Sequence, residues 1–434
     1  MSRSVLRTTL ATTLSAALLC STPVLAQSAT EESTGESAGA SSLSSGSSLF
    51  SFGSSANSDE SGDASPAEEE GSVLGSANSL LQALITGSSQ STTSSGLGVN
   101  GLLGLLNLVG LYETQFSGPL LSSESGYPLT TDESINTAEI LSRETDTRAP
   151  RLERWHIASP SMKRVVEVQI MRPADDSAAA PMIYLLDGIG GNKNSSGWIN
   201  GGEAPKVFAE ENATVVMPLG AAASMYSDWE QEDPALGTIK WETFIVEELA
   251  PLLEAESELN FNGKRAIGGL SMGATGAVNL ANSNPDFFDG VIGISGCYST
   301  LDPVGRQTVN LIVGSRGGDV ENMWGPYGSE TWVEHDVTAN PEGLRDMAVY
   351  LSVANGSVTA GDKPVYTDQP FFNMIAGVVL ERGALECTYN LDKSMHDKGM
   401  DHQVVEYKSG GLHNWDNYNE QLQPGWDAIK HVLY

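Results

Sequence analysis

Apolar and polar positions change their rhythm along this chain near residue 150. Beyond that point, short apolar runs alternate with longer segments of helical period. Val165-Val166-Glu167-Val168-Gln169-Ile170-Met171 alternates as a half-buried strand does. Met182-Ile183-Tyr184-Leu185-Leu186 is apolar without a break, the pattern of a strand covered on both faces. Thr214–Met217, Arg265–Gly268, Gly290–Ser295, Met347–Ser352 and Gln403–Tyr407 read as further strands. Lys240–Leu253 puts Phe244, Ile245, Leu249, Leu252 and Leu253 on one helical face. A helix is predicted from Met272 onward, and two more over roughly 370–394 and 419–432. Repeated strand–helix units predict an α/β fold with a largely parallel sheet between helical layers.

The first third of the chain has a different pattern. Residues 27 to about 70 are mostly Ser, Gly, Ala and Glu, too poor in apolar side chains to offset the entropy of ordering. Two apolar runs follow, Leu80–Ile85 and Leu102–Leu111, the second glycine-rich and too short to span a bilayer. This patch at 80–111 can dock on the folded domain, on lipid, or on a second copy of the chain. At the very start, Arg3 and Arg7, the apolar stretch Leu10–Leu19 and the small residues around Ala26 form a secretory signal. The predicted organisation is a signal peptide at 1–26, a low-complexity, acidic and largely disordered region at 27–148, and a folded catalytic domain at 149–434.

Charge and cysteine content narrow the setting. With 23 Lys and Arg against 55 Asp and Glu, the formal charge of the 434-residue chain is -32. That repels nucleic acid and anionic lipid headgroups. No Lys or Arg occurs between Arg7 and Arg143. Of three cysteines, Cys20 lies in the signal segment. Cys297 and Cys387 remain, and two cysteines in an oxidising compartment predict one disulfide.

Gly269-Leu270-Ser271-Met272-Gly273 carries the chemistry. It follows a strand-like run and opens a helix-like one, which is the layout of a nucleophile elbow. The tight turn presents the Ser271 hydroxyl at the top of the sheet and aims the Met272 N–H at a developing oxyanion. A serine needs a base. In the α/β-hydrolase fold the order is serine, acid, histidine. Of six histidines, order excludes His156, while His413 lies in a Gly-containing loop after the last predicted strand. His335, His396, His402 and His431 lie in polar stretches or at element ends. Candidate acids are numerous. Glu381 interrupts the apolar run Gly377-Val378-Val379-Leu380, so its carboxylate needs a partner, either His413 or its neighbour Arg382.

Six motifs in this order carry a family resemblance: Tyr184-Leu185-Leu186-Asp187-Gly188 with Gly197-Trp198; Tyr226-Ser227-Asp228-Trp229; Lys240-Trp241-Glu242-Thr243-Phe244; the elbow; Met323-Trp324-Gly325-Pro326; and His413-Asn414-Trp415. From about 150 to 434 the chain resembles the mycolyltransferases, meaning the antigen 85 proteins and especially their corynebacterial relatives. The resemblance implies Ser271 as nucleophile, His413 as base, and the N–H groups of Ile189 and Met272 as oxyanion donors. It implies Asp187 and Trp198 at the sugar and Trp415 beside His413. It favours Glu381, a glutamate in a late helix shortly before a cysteine, as the acid, and it strengthens a Cys297–Cys387 bridge. One departure stands out: Ile189-Gly190-Gly191-Asn192-Lys193 lacks the arginine that antigen 85 proteins place after the Asp-Gly pair.

The activity implied is transfer of a mycolyl group from trehalose monomycolate to a sugar hydroxyl, on trehalose monomycolate or wall arabinan, through a seryl acyl-enzyme. It needs no metal or organic cofactor. The implied setting is secreted or in the cell envelope, with no transmembrane segment in the mature protein. A secreted carboxylesterase using water, and a non-catalytic surface adhesin, are the competing readings.

Overall fold

The computed structural model describes residues 126–366 and 371–434. The predicted signal peptide and the apolar patch at 80–111 lie outside the described residues. Nine strands form one sheet: β1 (Glu139–Thr145), β2 (Leu152–Ser159), β3 (Arg164–Met171), β4 (Ala180–Leu186), β5 (Thr214–Pro218), β6 (Phe261–Leu270), β7 (Gly290–Ile294), β8 (Ala348–Ala354) and β9 (Val404–Lys408). Their spatial order is β1-β2-β3-β5-β4-β6-β7-β8-β9. The first three pairings are antiparallel, and every pairing from β5 through β9 is parallel. This is the α/β-hydrolase architecture that the alternating pattern predicts.

Side chains leave a strand on alternate faces, so one strand feeds both helical layers. On β4, Met182, Tyr184 and Leu186 join one core with Ala274, Ala277 and Val278 of the helix after β6. Ile183 and Leu185 join the other, with Tyr418, Leu422, Trp426 and Ile429 of the helix after β9. The helices that matter for the site are α1 (Gly197–Asn200), α2 (Met272–Ser283), α3 (Pro303–Gly314), α4 (Phe371–Asp397) and α5 (Trp415–Ile429). Among the described residues no helix is long and apolar enough to cross a membrane.

Three details differ from the sequence-based expectation. The sheet begins at Glu139, so a domain start at 149 cuts off β1. That strand sits at an edge with Leu141 exposed, and its sequence lacks the alternation that marks a half-buried strand. The helix over 241–254 contains a π turn at Phe244–Leu249, where Ala250 N–H reaches Ile245 O. Pro251 follows at once and has no N–H to continue an α ladder. Finally, α5 starts at Trp415 rather than 419, because Asn414 caps it by accepting from Asn417 N–H.

Candidate active site

β6 ends at Leu270 and α2 begins at Met272, so Ser271 alone makes the turn, with φ 54° and ψ -124°. A residue with a Cβ holds such a backbone only where its surroundings impose it. Here the Ser271 N–H donates to Ile294 O on β7 at 2.9 Å. Space demands the flanking glycines. A Cβ on Gly269 would lie 2.3 Å from the Gly273 carbonyl, and one on Gly273 would lie 2.4 Å from Leu186 O.

His413 comes from the loop between β9 and α5. Gly410 and Gly411 turn that loop at φ 93° and 118°, values glycine adopts without a steric penalty. His413 Nε2 lies 2.8 Å from Ser271 Oγ, and Nδ1 lies 2.8 Å from Glu381 Oε2. Of the two partners open to Glu381 from sequence, His413 is the one against its carboxylate. Glu381 projects from α4 and is fully buried. A carboxylate without water needs donors on every side. Its second oxygen, Oε1, accepts from Ser295 Oγ, Ala354 N–H and Asn417 Nδ2 at 2.9, 2.7 and 2.9 Å.

Cys297 and Cys387 form a disulfide. It joins the turn after β7, which carries Ser295, to α4 six residues beyond Glu381. The other histidines stand apart from this cluster. His335 is not a surface residue, since its ring stacks on Trp324 at 4.4 Å. His402 Nε2 meets Leu344 O, and His396 pairs with Asp392.

Among the described residues, two pockets open on Ser271. One, of about 620 Å³ including its mouth, is walled mainly by apolar groups, among them Leu311, Ile312, Val379, Leu380 and Ala384, with Cys297 and His413 near the serine. The other, of about 700 Å³, is the more polar of the two and lies among Asp187, Asn192, Ser195, Asn200 and Trp415, with glycine backbone, Ile189, Leu270 and Tyr418 completing its wall. Ile189 lines both, and Met272 lines the apolar one. The Met272 N–H belongs to the first turn of α2, where a helix leaves its amides without intrahelical partners.

The residues expected at the sugar are arranged differently from one another. Asp187 is buried, and its carboxylate accepts from Gly197 N–H at 2.9 Å and Ser196 Oγ at 3.1 Å. Burial pushes this carboxyl up to about 7, against those hydrogen bonds and one from the Trp198 amide, which pull it down. It braces the start of α1 at the rim of the polar pocket. Trp198, expected against substrate, is instead completely buried, and its indole N–H donates to Leu186 O at 3.0 Å. It supports Trp415, edge-on at 5.5 Å. Trp415 is partly exposed and packs against Gly197, Gly201 and Gly202, where any Cβ would fall within 2.9 Å of its ring. Two side chains that the sequence reading left out, Ser295 and Asn417, also reach the site. In the sequence Ser295 reads only as the end of a strand, and Asn417 has no local signature within a polar helical turn.

Known proteins are similar to the chain over its folded part. A family model described as a putative esterase matches residues 159–428. The diacylglycerol acyltransferase/mycolyltransferase Ag85A of Mycobacterium leprae is 30% identical over 279 residues, which cover 62% of this chain and 80% of that protein. The Ag85B enzyme of Mycolicibacterium smegmatis is 31% identical over 292 residues, covering 64% and 84%. Among solved structures, MPT51 (FbpC1) of Mycobacterium tuberculosis matches with a TM-score of 0.54 at 25% identity, over 66% of this chain and all of that one.

Proposed function

We propose a specific acyl transfer for this chain from one premise: it belongs to the putative esterase family, among the antigen 85-like mycolyltransferases. As a member it is a serine-hydrolase-like enzyme that transfers acyl groups. The proposed donor is trehalose monomycolate, and the acceptor is a sugar hydroxyl on a second trehalose monomycolate or on wall arabinan. The observation that carries the reading is the pair of dissimilar pockets meeting at Ser271. An apolar pocket suits an acyl chain. A mixed one, with the amides of Asn192 and Asn200 and the hydroxyl of Ser195 beside the rings of Trp415 and Tyr418, suits a sugar.

In the proposed mechanism, His413 Nε2 takes the Ser271 proton as Oγ attacks the ester carbonyl carbon. The carbonyl electron pair moves onto oxygen, and the Ile189 and Met272 N–H groups stabilise that oxyanion, each by about 3 kcal/mol in sites of this kind. Glu381 holds the neutral imidazole as its Nδ1–H tautomer and stabilises the imidazolium that forms. The tetrahedral centre collapses, the C–O bond to trehalose breaks, and His413 protonates the leaving oxygen. The acceptor hydroxyl then loses its proton to His413 and attacks the acyl-enzyme, which releases Ser271. Trp415 is the sugar platform, Trp198 its support, and Asp187 the brace of the loop carrying Ile189.

The proposed setting is outside the cytoplasm, after removal of residues 1–26, with 27–125 as an acidic segment ahead of the sheet. The Cys297–Cys387 disulfide supports an oxidising compartment. The test is incubation with trehalose monomycolate and labelled trehalose, beside Ser271→Ala. Label in mycolylated trehalose, reduced at least ~1000-fold in the variant, is expected. Free mycolic acid without labelled ester would make water the acceptor. Equal product from both proteins would remove Ser271 from the mechanism, and none from either would favour a binding role.

A further inference from the structure

The contacts around Glu381 divide unevenly. Oε2 faces His413, while Oε1 receives three donors. One of these, Asn417, sits in the first turn of α5, the helix that leads directly from the His413 loop. Loop and helix are tied together by Asn414, whose side chain accepts from Asn417 N–H at 3.1 Å.

The chemistry of its neighbours fixes which way the Asn417 amide points. A carboxylate only accepts and an ammonium only donates. Glu381 lies on one side of the amide. Lys408 Nζ at 3.4 Å and Gln421 Nε2 at 2.8 Å lie on the other, against Oδ1. Nδ2 therefore faces Glu381. Gly411 makes the room: a Cβ there would fall 2.9 Å from Asn417 Oδ1. Asn417 is itself buried and lines neither of the pockets at Ser271.

We propose that Asn417 is a positioning residue for acyl transfer: it pins the far oxygen of Glu381 so that the near one stays aimed at His413 Nδ1. This rests on the assignment of Ser271, His413 and Glu381 as the reacting set. A carboxylate can rotate about its terminal bond. Asn417 opposes that rotation from the same helix that anchors the base, so acid and base keep a common frame.

The test compares N417A and N417D with the unaltered protein and with S271A, using an activated acyl ester. kcat and KM are measured together with the far-downfield proton resonance of His413 Nδ1–H. N417A is expected to lower kcat about 10- to 100-fold with KM unchanged, and to shift or broaden that resonance. N417D keeps the size of the side chain and the oxygen facing Gln421 and Lys408, but replaces the donor with a second acceptor. A positioning role requires N417D to be at least as slow as N417A, whereas a packing role makes it close to the unaltered protein. If N417A does not fold, the isosteric variant decides. A folded N417D with kcat within twofold and an unmoved resonance overturns the proposal. Ester turnover by S271A at the unaltered rate would instead overturn the reacting set on which it rests.

Discussion

Asp187 shows how one buried residue can brace a site from its rim. Its carboxylate is committed to the amide of Gly197 and the hydroxyl of Ser196, and burial raises it to about 7. In the unfolded chain it titrates near its ordinary value of about 4. The folded state thus binds the extra proton between those two values. This group's contribution to stability is complete below about pH 4 and is lost as pH rises through about 7. Urea midpoints measured across that window should fall more steeply with pH in the native protein than in Asp187→Asn. Equal slopes would mean that the hydrogen bonds to the carboxylate outweigh its burial.

At the scale of elements, the acid depends on how α4 is held. The disulfide closes a loop of 90 residues between the turn after β7 and α4, six residues beyond Glu381. Replacing both cysteines with serine should cost about 3–4 kcal/mol of stability, read from denaturant midpoints. It should also lower kcat more than it raises KM, since the Ser295 contact to Glu381 lies in the same turn. Unchanged kcat at full folding would make the bridge purely a matter of stability. These elements were unequally legible in the sequence. Central strands announced themselves because burial on both faces leaves an unbroken apolar run, as in Met182–Leu186. Ser271 and His413 were legible because their conformations demand glycines at set offsets. β1 was not, being exposed at an edge. Asn417 was not, because its role comes from a helix placed against α4 by tertiary packing, which no local spacing records. The motif places Trp198 at the substrate, whereas the fold buries it behind Trp415, a placement set by tertiary packing.

For the whole molecule, the edge of the sheet reaches further inward than its exposure implies. Arg143 on β1 covers Trp155 at 3.9 Å and pairs with Glu256 at 2.7 Å. Asp146, just after β1, accepts from Gln169 at 2.8 Å, and Gln169 in turn accepts from the Ser196 amide at 2.7 Å. Ser196 then donates to Asp187. A chain beginning at 149 should therefore be less stable than one beginning at 126 by at least about 2 kcal/mol. It should also turn over more slowly, because the brace beneath the polar pocket loses its outer anchor. Equal denaturation midpoints and rates would confine β1 to a covering role.

The junction at Ser271 has a kinetic meaning. In the proposed transfer, once the acyl chain is stowed on the apolar side, the departing sugar and the incoming hydroxyl use the opposite side in turn. Between those two visits that side is wet. Transfer and hydrolysis are then a race, and its outcome depends on how fast the vacancy refills with sugar.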